Sequence, residues 1–156
     1  MMRALLIEDE PEGLQNLLNL LEKYCPDVEV VATGGSNADL LRLSGEDGET
    51  QFDVAFLDID LPDGLVFTGL QQLEEIPFDI IFVTAYNQYA LTAFDFSAID
   101  YVLKPIEPDD LRRAFSRIRP ARKNSSTKQR VELLQQNYSP NMPNAFEKIG
   151  ISGLDG

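Results

Sequence analysis

The chain has 156 residues, 44% hydrophobic and 25% charged, enough for one packed domain plus an appendage and unlike a wholly disordered segment. Thirteen basic against 26 acidic side chains leave a net charge of −13, which repels phosphate backbones and anionic lipid and excludes a nucleic-acid or membrane reader in this stretch. Histidine is absent and Cys25 is the single cysteine, so Ser-His-Asp and Cys-His catalysis, imidazole zinc sites, a phosphohistidine carrier and an internal disulfide are all excluded.

Residues 4–7 form a first short apolar run that meets Glu8, Asp9 and Glu10 at once. The run is too short for a signal-peptide core and no stretch approaches a membrane span, so the expected location is the cytoplasm. Behind Pro11, Leu14, Leu17, Leu18 and Leu21 keep helical spacing, and proline suits a first helical position. A second strand is expected over 28–32. Ser36 followed by Asp39 opens a short helix holding Leu40, Leu41 and Leu43. A third strand over 54–57 ends in Asp58-Ile59-Asp60, and Phe67, Leu70 and Leu73 mark a helix that Pro77 stops. The run 80–83 ends in Thr84-Ala85 and precedes a helix marked by Tyr89, Ala90, Ala93 and Phe94. The fifth strand, 101–103, ends in Lys104-Pro105. The fifth helix starts with Pro108, Asp109 and Asp110, runs through Leu111, Phe115 and Ile118, and closes with Arg117 and Arg119, acid first and base last as the helix dipole favours.

Beyond residue 119 the composition changes. Residues 1–119 carry 8 basic and 23 acidic side chains, whereas residues 120–156 carry 5 and 3. The stretch 120–146 reads as a polar linker with a weak helical patch, and 147–156 as the opening strand of a further unit. Most of the strand runs lack alternation, as strands covered on both faces do. Five strand-then-helix units predict an α/β, doubly wound five-stranded parallel sheet with helices on both faces and its chemistry at the carboxyl ends of the strands.

Those ends hold Glu8, Asp9 and Glu10, then Asp58 and Asp60, then Thr84 and Ala85, then Lys104. Two carboxylates about 5 Å apart repel by roughly 3 kcal/mol at an effective dielectric near 20. Lys104 offsets only part of this, so a hard divalent cation is the natural complement, and Mg2+ fits because it takes one or two carboxylates and keeps its other positions for water and phosphate oxygen. An aspartate beside such an ion can attack phosphorus, with the ion and an ammonium neutralising the transferred charge and a hydroxyl donating to its oxygens.

Leu-Ile-Glu-Asp-Glu-Pro, Phe-Leu-Asp-Ile-Asp-Leu-Pro-Asp-Gly, Val-Thr-Ala-Tyr and Asp-Tyr-Val-Leu-Lys-Pro together resemble a response-regulator receiver domain over residues 3–119. The resemblance implies the flavodoxin-like strand order 2-1-3-4-5. It implies Asp58 as phosphoacceptor, supplied by a sensor histidine kinase. Asp9, Asp58 and the Asp60 backbone carbonyl would ligate Mg2+, with Glu8 acting through water. Thr84, Ala85 and Lys104 would hold the phosphoryl group, Thr84 and Tyr101 would form the switch, and Pro105 would follow a cis peptide. The run from Tyr86 to Phe94 with Ala98-Ile99-Asp100-Tyr101 is similar to receivers that precede a LytTR-type DNA-binding domain. That resemblance implies a transcription regulator whose DNA-binding module begins at 147–156 and is otherwise absent. It further implies homodimerisation through the face of the fourth helix, fifth strand and fifth helix. On this reading Glu10, Asp63 and the acids of 46–49 are solvated charge, and Tyr89, Phe94 and Phe96 belong to the core or a dimer surface.

One position departs from the family: eight residues after Asp58 stands Val66 in place of the usual glycine, with Gly64 two places earlier, which predicts a different loop path because valine avoids positive φ. Three other readings compete. A haloacid-dehalogenase-like Mg2+-dependent phosphatase would use Asp58-Ile59-Asp60 as nucleophile and general acid, but its motif belongs on a first strand. A flavodoxin would meet repulsion from Glu8, Asp9 and Glu10 at its phosphate loop. A pseudo-receiver would lack part of the acceptor set, and no member is missing.

Overall fold

Each apolar run becomes a strand of one parallel sheet in a computed structural model that describes residues 1–44 and 51–118. The strands are β1 (Met2–Ile7), β2 (Val28–Gly34), β3 (Val54–Leu57), β6 (Asp79–Thr84) and β7 (Asp100–Leu103), in the spatial order β2-β1-β3-β6-β7. This is the flavodoxin-like order expected from the sequence. Every residue of β3 and β6 is buried, whereas β2 at the edge is half-buried. Uninterrupted hydrophobicity therefore marks the strands with helices above and below them.

The helices are α1 (Pro11–Tyr24), α2 (Asn37–Ser44), α3 (Val66–Gln71), α4 (Ala90–Asp95) and α5 (Pro108–Ser116). Proline opens both α1 and α5, where its missing N–H costs no intrahelical bond. Strand residues alternate between two cores. Leu5, Ile7, Leu57 and Phe82 face α2, α3 and α4, whereas Ala4, Leu6, Phe56 and Ile81 face α1 and α5.

The boundaries differ from the periodicity in instructive places. The strand β2 runs two residues past the expected end, and β6 gains one residue at each end. The helix α3 stops at Gln71, leaving Leu73 outside it with its amide bonded to the Leu70 carbonyl, six residues before the proline expected to end it. The helix α5 stops at Ser116, and the amides of Arg117 and Ile118 reach back three residues rather than four, the tightening usual in a last turn. Arg119, the stretch 120–146, the segment 147–156 and the acids of 46–49 lie outside the described residues.

Between Asp58 and α3 the chain forms a small antiparallel ribbon, β4 (Asp60–Leu61) against β5 (Gly64–Leu65), that no sequence pattern announced. The ribbon resolves the Val66 departure. Its turn places the positive φ of +123° on Gly64, and Val66 begins α3, fully buried. Valine is never asked for the conformation it avoids.

Candidate functional site

Glu8 follows β1, Asp58 follows β3, Thr84 ends β6 and Lys104 follows β7, so the sheet order brings these four to one edge. The Lys104 ammonium bonds Glu8 Oε1 and also lies 3.2 Å from Asp58 Oδ2. Asp58 Oδ1 accepts from the Ile59 amide at 2.7 Å, while the Asp58 amide donates to the Ile7 carbonyl at 2.9 Å. The acceptor candidate is therefore held by β1, by its own backbone and by β7. Glu8 and Asp58 are both buried.

Two buried carboxylates share one ammonium, and the arrangement resists a second full negative charge. Burial, then the neighbouring Glu8, pushes the Asp58 carboxyl up to about 7 against the pull of Lys104. For Glu8, burial also works upward but is outweighed by its bonds to Asp58 and Lys104, so its carboxyl lies below the usual range. Burial disfavours the Lys104 ammonium, and the two carboxylates more than restore it. The two carboxyls titrate as a unit: burial and mutual repulsion oppose a second negative charge, and Lys104 favours the charged forms.

A second acidic group lies beside the first. Single carboxylate oxygens of Glu8, Asp9 and Glu10 fall within 4.8 Å of one another, with Asp9 and Glu10 exposed. An octahedral ion with 2.0–2.1 Å bonds spans about 4 Å between opposite oxygens, so the all-oxygen donor chemistry fits Mg2+ with the exposed side chains drawing in slightly to meet it. Glu10 is exposed, as solvated charge is, and one of its oxygens lies within 4.8 Å of those of Glu8 and Asp9. Its amide also reaches Glu8 Oε2 at 3.4 Å. Asp60 is exposed on β4, next but one to Asp58.

Local sequence explains the close packing around Glu8. A Cβ on Gly13 of α1 would lie 2.6 Å from Glu8 Oε1, so the helix can pass over the carboxylate only where it carries no side chain. Across the edge, Thr84 is fully buried and its Oγ1 accepts from the Tyr86 amide at 3.3 Å. Tyr101 is buried too, and its hydroxyl donates to the Tyr86 carbonyl; burial raises its pKa. One residue, Tyr86, is thus tied through its amide to Thr84 and through its carbonyl to Tyr101. Ala85 is exposed at the rim, and the Lys104–Pro105 peptide is cis.

The rings around Tyr101 are partly buried. Phe96 stacks on Phe67 at 5.2 Å and Tyr89 lies 6.0 Å from the same ring. Both pack against the core, and Phe94 of α4 is half-buried. Asp63 is exposed as expected but not idle: its two carboxylate oxygens accept from the Asn37 and Ala38 amides at 2.8 and 3.1 Å. The Asn37 amide above all, with the Ala38 amide beside it, holds its carboxyl below the usual range. Among the described residues no helix is long and apolar enough to cross a membrane.

A family model described as the response regulator receiver domain matches residues 4–116. A transcriptional regulatory protein of Salmonella typhi, BtsR, is 38% identical over 139 residues, covering 88% of this chain and 54% of that protein. An uncharacterized response regulatory protein of Vibrio vulnificus is 36% identical over 136 residues, covering 86% and 54%. The chain spans about half the length of these curated relatives. Among solved structures, the response regulatory domain of MrkE from Klebsiella pneumoniae superposes with a TM-score of 0.62 at 27% identity, covering 75% of this chain and 94% of that one. RcsB from Salmonella enterica serovar Typhimurium, bound to a promoter with a phosphomimetic, superposes with a TM-score of 0.63 at 24% identity, over 76% and 98%, and supports the fold alone.

Proposed function

The chain belongs to the response regulator receiver family, and on that premise we propose that Asp58 is the phosphoacceptor of a Mg2+-dependent switch. The observation that carries the reading is the sharing of Lys104 between Asp58 Oδ2 and Glu8 at the edge of the sheet, beside the Asp9 and Glu10 carboxylates.

Glu8, Asp9, Asp58 and the Asp60 carbonyl would hold the Mg2+, Glu8 through water, with Glu10 close enough to contribute. The ion, when bound, supplies positive charge to the phosphoryl oxygens and removes the repulsion among the carboxylates. The Ile59 amide anchors Asp58 Oδ1, which leaves Oδ2 to form the new bond to phosphorus. With acetyl phosphate as donor, the phosphorus–oxygen bond to the acetyl group breaks and acetate departs with the electron pair. With a sensor histidine kinase, the phosphorus–nitrogen bond to the kinase's histidine breaks, the nitrogen keeps the electron pair, and the phosphoryl group passes to the same oxygen. Lys104 then turns its charge to the phosphoryl group, to which Thr84 and the Ala85 amide donate.

The readout follows from Tyr86. When Thr84 Oγ1 turns to the phosphoryl oxygens it abandons the Tyr86 amide, and the loop whose carbonyl holds Tyr101 is freed to shift. Tyr101 lies on β7 between α4 and α5, so the change reaches the α4–β7–α5 face, where Leu91 is 53% exposed. That face would control homodimerisation, and a linker over 120–146 would pass the change to a LytTR-type DNA-binding domain beginning at 147–156. The chemistry is that of a self-phosphorylating switch rather than a turnover enzyme.

The test is intact mass after acetyl phosphate or beryllofluoride, with and without Mg2+. A single metal-dependent adduct is expected on the wild type and none on Asp58→Asn. An adduct that persists in the variant, or repeated turnover of ordinary phosphate esters, overturns the reading.

A further inference from the structure

Asn37, the first residue of α2, is buried although it lies next to the surface. Its side-chain amide donates to the Gly64 and Leu65 carbonyls at 3.1 and 3.2 Å, 27 and 28 residues away. Two donated bonds fix which end of the amide is nitrogen. The oxygen, with no partner of its own, is pressed against α3, where a Cβ on Gly69 would fall 2.2 Å from it. Asp63, in the turn of the ribbon, reaches in the opposite direction and accepts the Asn37 and Ala38 amides. The start of α2 and the ribbon therefore grip each other twice, once through each partner's side chain.

The grip reaches both halves of the acidic site. Leu65, held by Asn37, is the pairing partner of Asp60, and the ribbon closes with the Val66 amide on the Ile59 carbonyl at 2.8 Å. On the other side, the Glu8 amide donates to the Gly34 carbonyl at 2.9 Å, and a Cβ on Gly35 would meet the Asp9 Cα at 3.3 Å. Residues 34–38 thus sit against the loop carrying Glu8 and Asp9 and, through Asn37, hold the loop carrying Asp60. A two-residue ribbon is too short to be stable by its own pairing. What fixes its position is the bonding from outside.

We propose that Asn37, with Asp63, is a positioning residue that sets the cation affinity of the acidic site by locking the Asp60–Leu65 ribbon to the start of α2. The inference rests on the Mg2+ site proposed above. It adds a residue pair outside the ligand set that fixes how the ligands converge, the role that outer partners of metal ligands play.

The probe is Mn2+, titrated into the purified 156-residue chain and followed by the electron paramagnetic resonance of the free ion, with Mg2+ as competitor. No phosphoryl transfer enters the measurement. Asn37→Ala changes no charge and is expected to weaken binding by about tenfold. Asp63→Ala alters an exposed side chain, carries the test if Asn37→Ala does not fold, and should weaken binding several-fold. Gly69→Ala drives a methyl into Asn37 and should act in the same direction, yet add nothing in the Asn37→Ala background. Ser36→Ala is the control. It strips the 3.1 Å cap bond to the Asp39 amide from the same helix without touching the ribbon, and should leave the affinity within about twofold of the wild type, far from the tenfold loss expected of an outer partner. Wild-type affinity in both Asn37→Ala and Asp63→Ala, or an equal loss in Ser36→Ala, overturns the inference while leaving the site itself standing. A wild type that binds no ion overturns the site and the inference together.

Discussion

The face of the sheet beneath α1 and α5 is filled mainly by aliphatic side chains; among the described residues Phe56 is its one buried ring, with Tyr24 and Phe115 packed half-buried against it. The opposite face, beneath α2, α3 and α4, buries Phe67, Phe78, Phe82 and Tyr101 and packs Phe52, Tyr89 and Phe96 against them. The helices differ in the same sense: 14 and 9 residues on the aliphatic face against 8, 6 and 6 on the aromatic one. Short helices contribute little stability of their own and depend on what they pack against. Broad rings offer large contact area with few rotatable bonds. The proposed switch residue Tyr101 lies on the aromatic face, where short elements rest on broad rings. If the switch is built as proposed, the aliphatic face, under longer helices, is its platform.

Truncating one ring on each face is the strongest test of that contrast. Phe56 and Phe82 sit on adjacent central strands and are almost fully buried. Each change to alanine is expected to cost about 3–5 kcal/mol in urea unfolding. Phe82 should fall at the upper end, because its ring also contacts those of Phe67 at 5.3 Å and Tyr101 at 6.4 Å, and such pairs add about 0.5–1.5 kcal/mol. Equal losses would mean that the two faces differ in composition but not in energetics.

The platform is also pinned electrostatically. Asp100, with its side chain shielded from solvent, receives Arg113 through Nε at 2.9 Å and a second nitrogen at 3.2 Å, Arg117 at 3.4 Å, and the Tyr101 amide at 2.8 Å. Removing one partner of a fully buried pair costs about 3–5 kcal/mol. Arg113→Ala should cost less, about 2 kcal/mol, because Arg113 is part-exposed and Arg117 remains to face the charge. Arg113→Lys should recover only part of the loss, since an ammonium cannot reproduce the two-pronged contact. Unfolding that begins at α5 in Arg113→Ala, seen as early hydrogen exchange over 108–116, would sharpen the contrast. Early exchange at α4 instead would break it.

A smaller effect is expected at Tyr101, within the aromatic face. Tyr101→Phe keeps the ring and deletes the hydroxyl that donates to the Tyr86 carbonyl. A hydrogen bond of this kind contributes about 1 kcal/mol. The measured consequence should be local: faster amide exchange over 85–89 and an unfolding midpoint only slightly lowered. A global change as large as that of Phe82→Ala would show that Tyr101 belongs to the platform.

Much of this architecture was legible in the sequence. The five short apolar runs are the five strands of the sheet, and Pro11 and Pro108 mark the starts of α1 and α5. Strand-end position alone brought Glu8, Asp58, Thr84 and Lys104 to one edge. The parts that escaped have a common cause. The bonds between Asn37 or Asp63 and their partners span 25 to 28 residues, and no local pattern records a contact of that separation. The ribbon has two residues per strand, too few to show a period. Gly13 and Gly69 carried a signal in principle, since a glycine inside a helix weakens it without a packing reason.

The turn that joins α4 to β7 hides one more such feature, and it gives the smallest prediction. The Ala98 amide bonds the Ala93 carbonyl at 3.4 Å and the Ser97 amide bonds the Phe94 carbonyl at 2.9 Å. This is the paired pattern of a Schellman cap, whose residue beyond the helix is usually glycine because it must take a positive φ. Here Ser97 takes it, at 60°, with its hydroxyl buried and unpartnered. A non-glycine residue in that region costs roughly 1–2 kcal/mol, while a glycine loosens the unfolded chain and returns about 0.4–1 kcal/mol of that. Ser97→Gly should therefore stabilise the protein, by about 0.5–1 kcal/mol in urea unfolding once both contributions are counted. Ser97→Ala separates the causes, because it removes the orphan hydroxyl and keeps the backbone strain. If only Ser97→Gly gains, the strain resides in the backbone at the end of α4, on the face assigned to motion. If Ser97→Ala gains as much, the cost is the buried oxygen, and the short helix is as unstrained as its longer counterparts across the sheet.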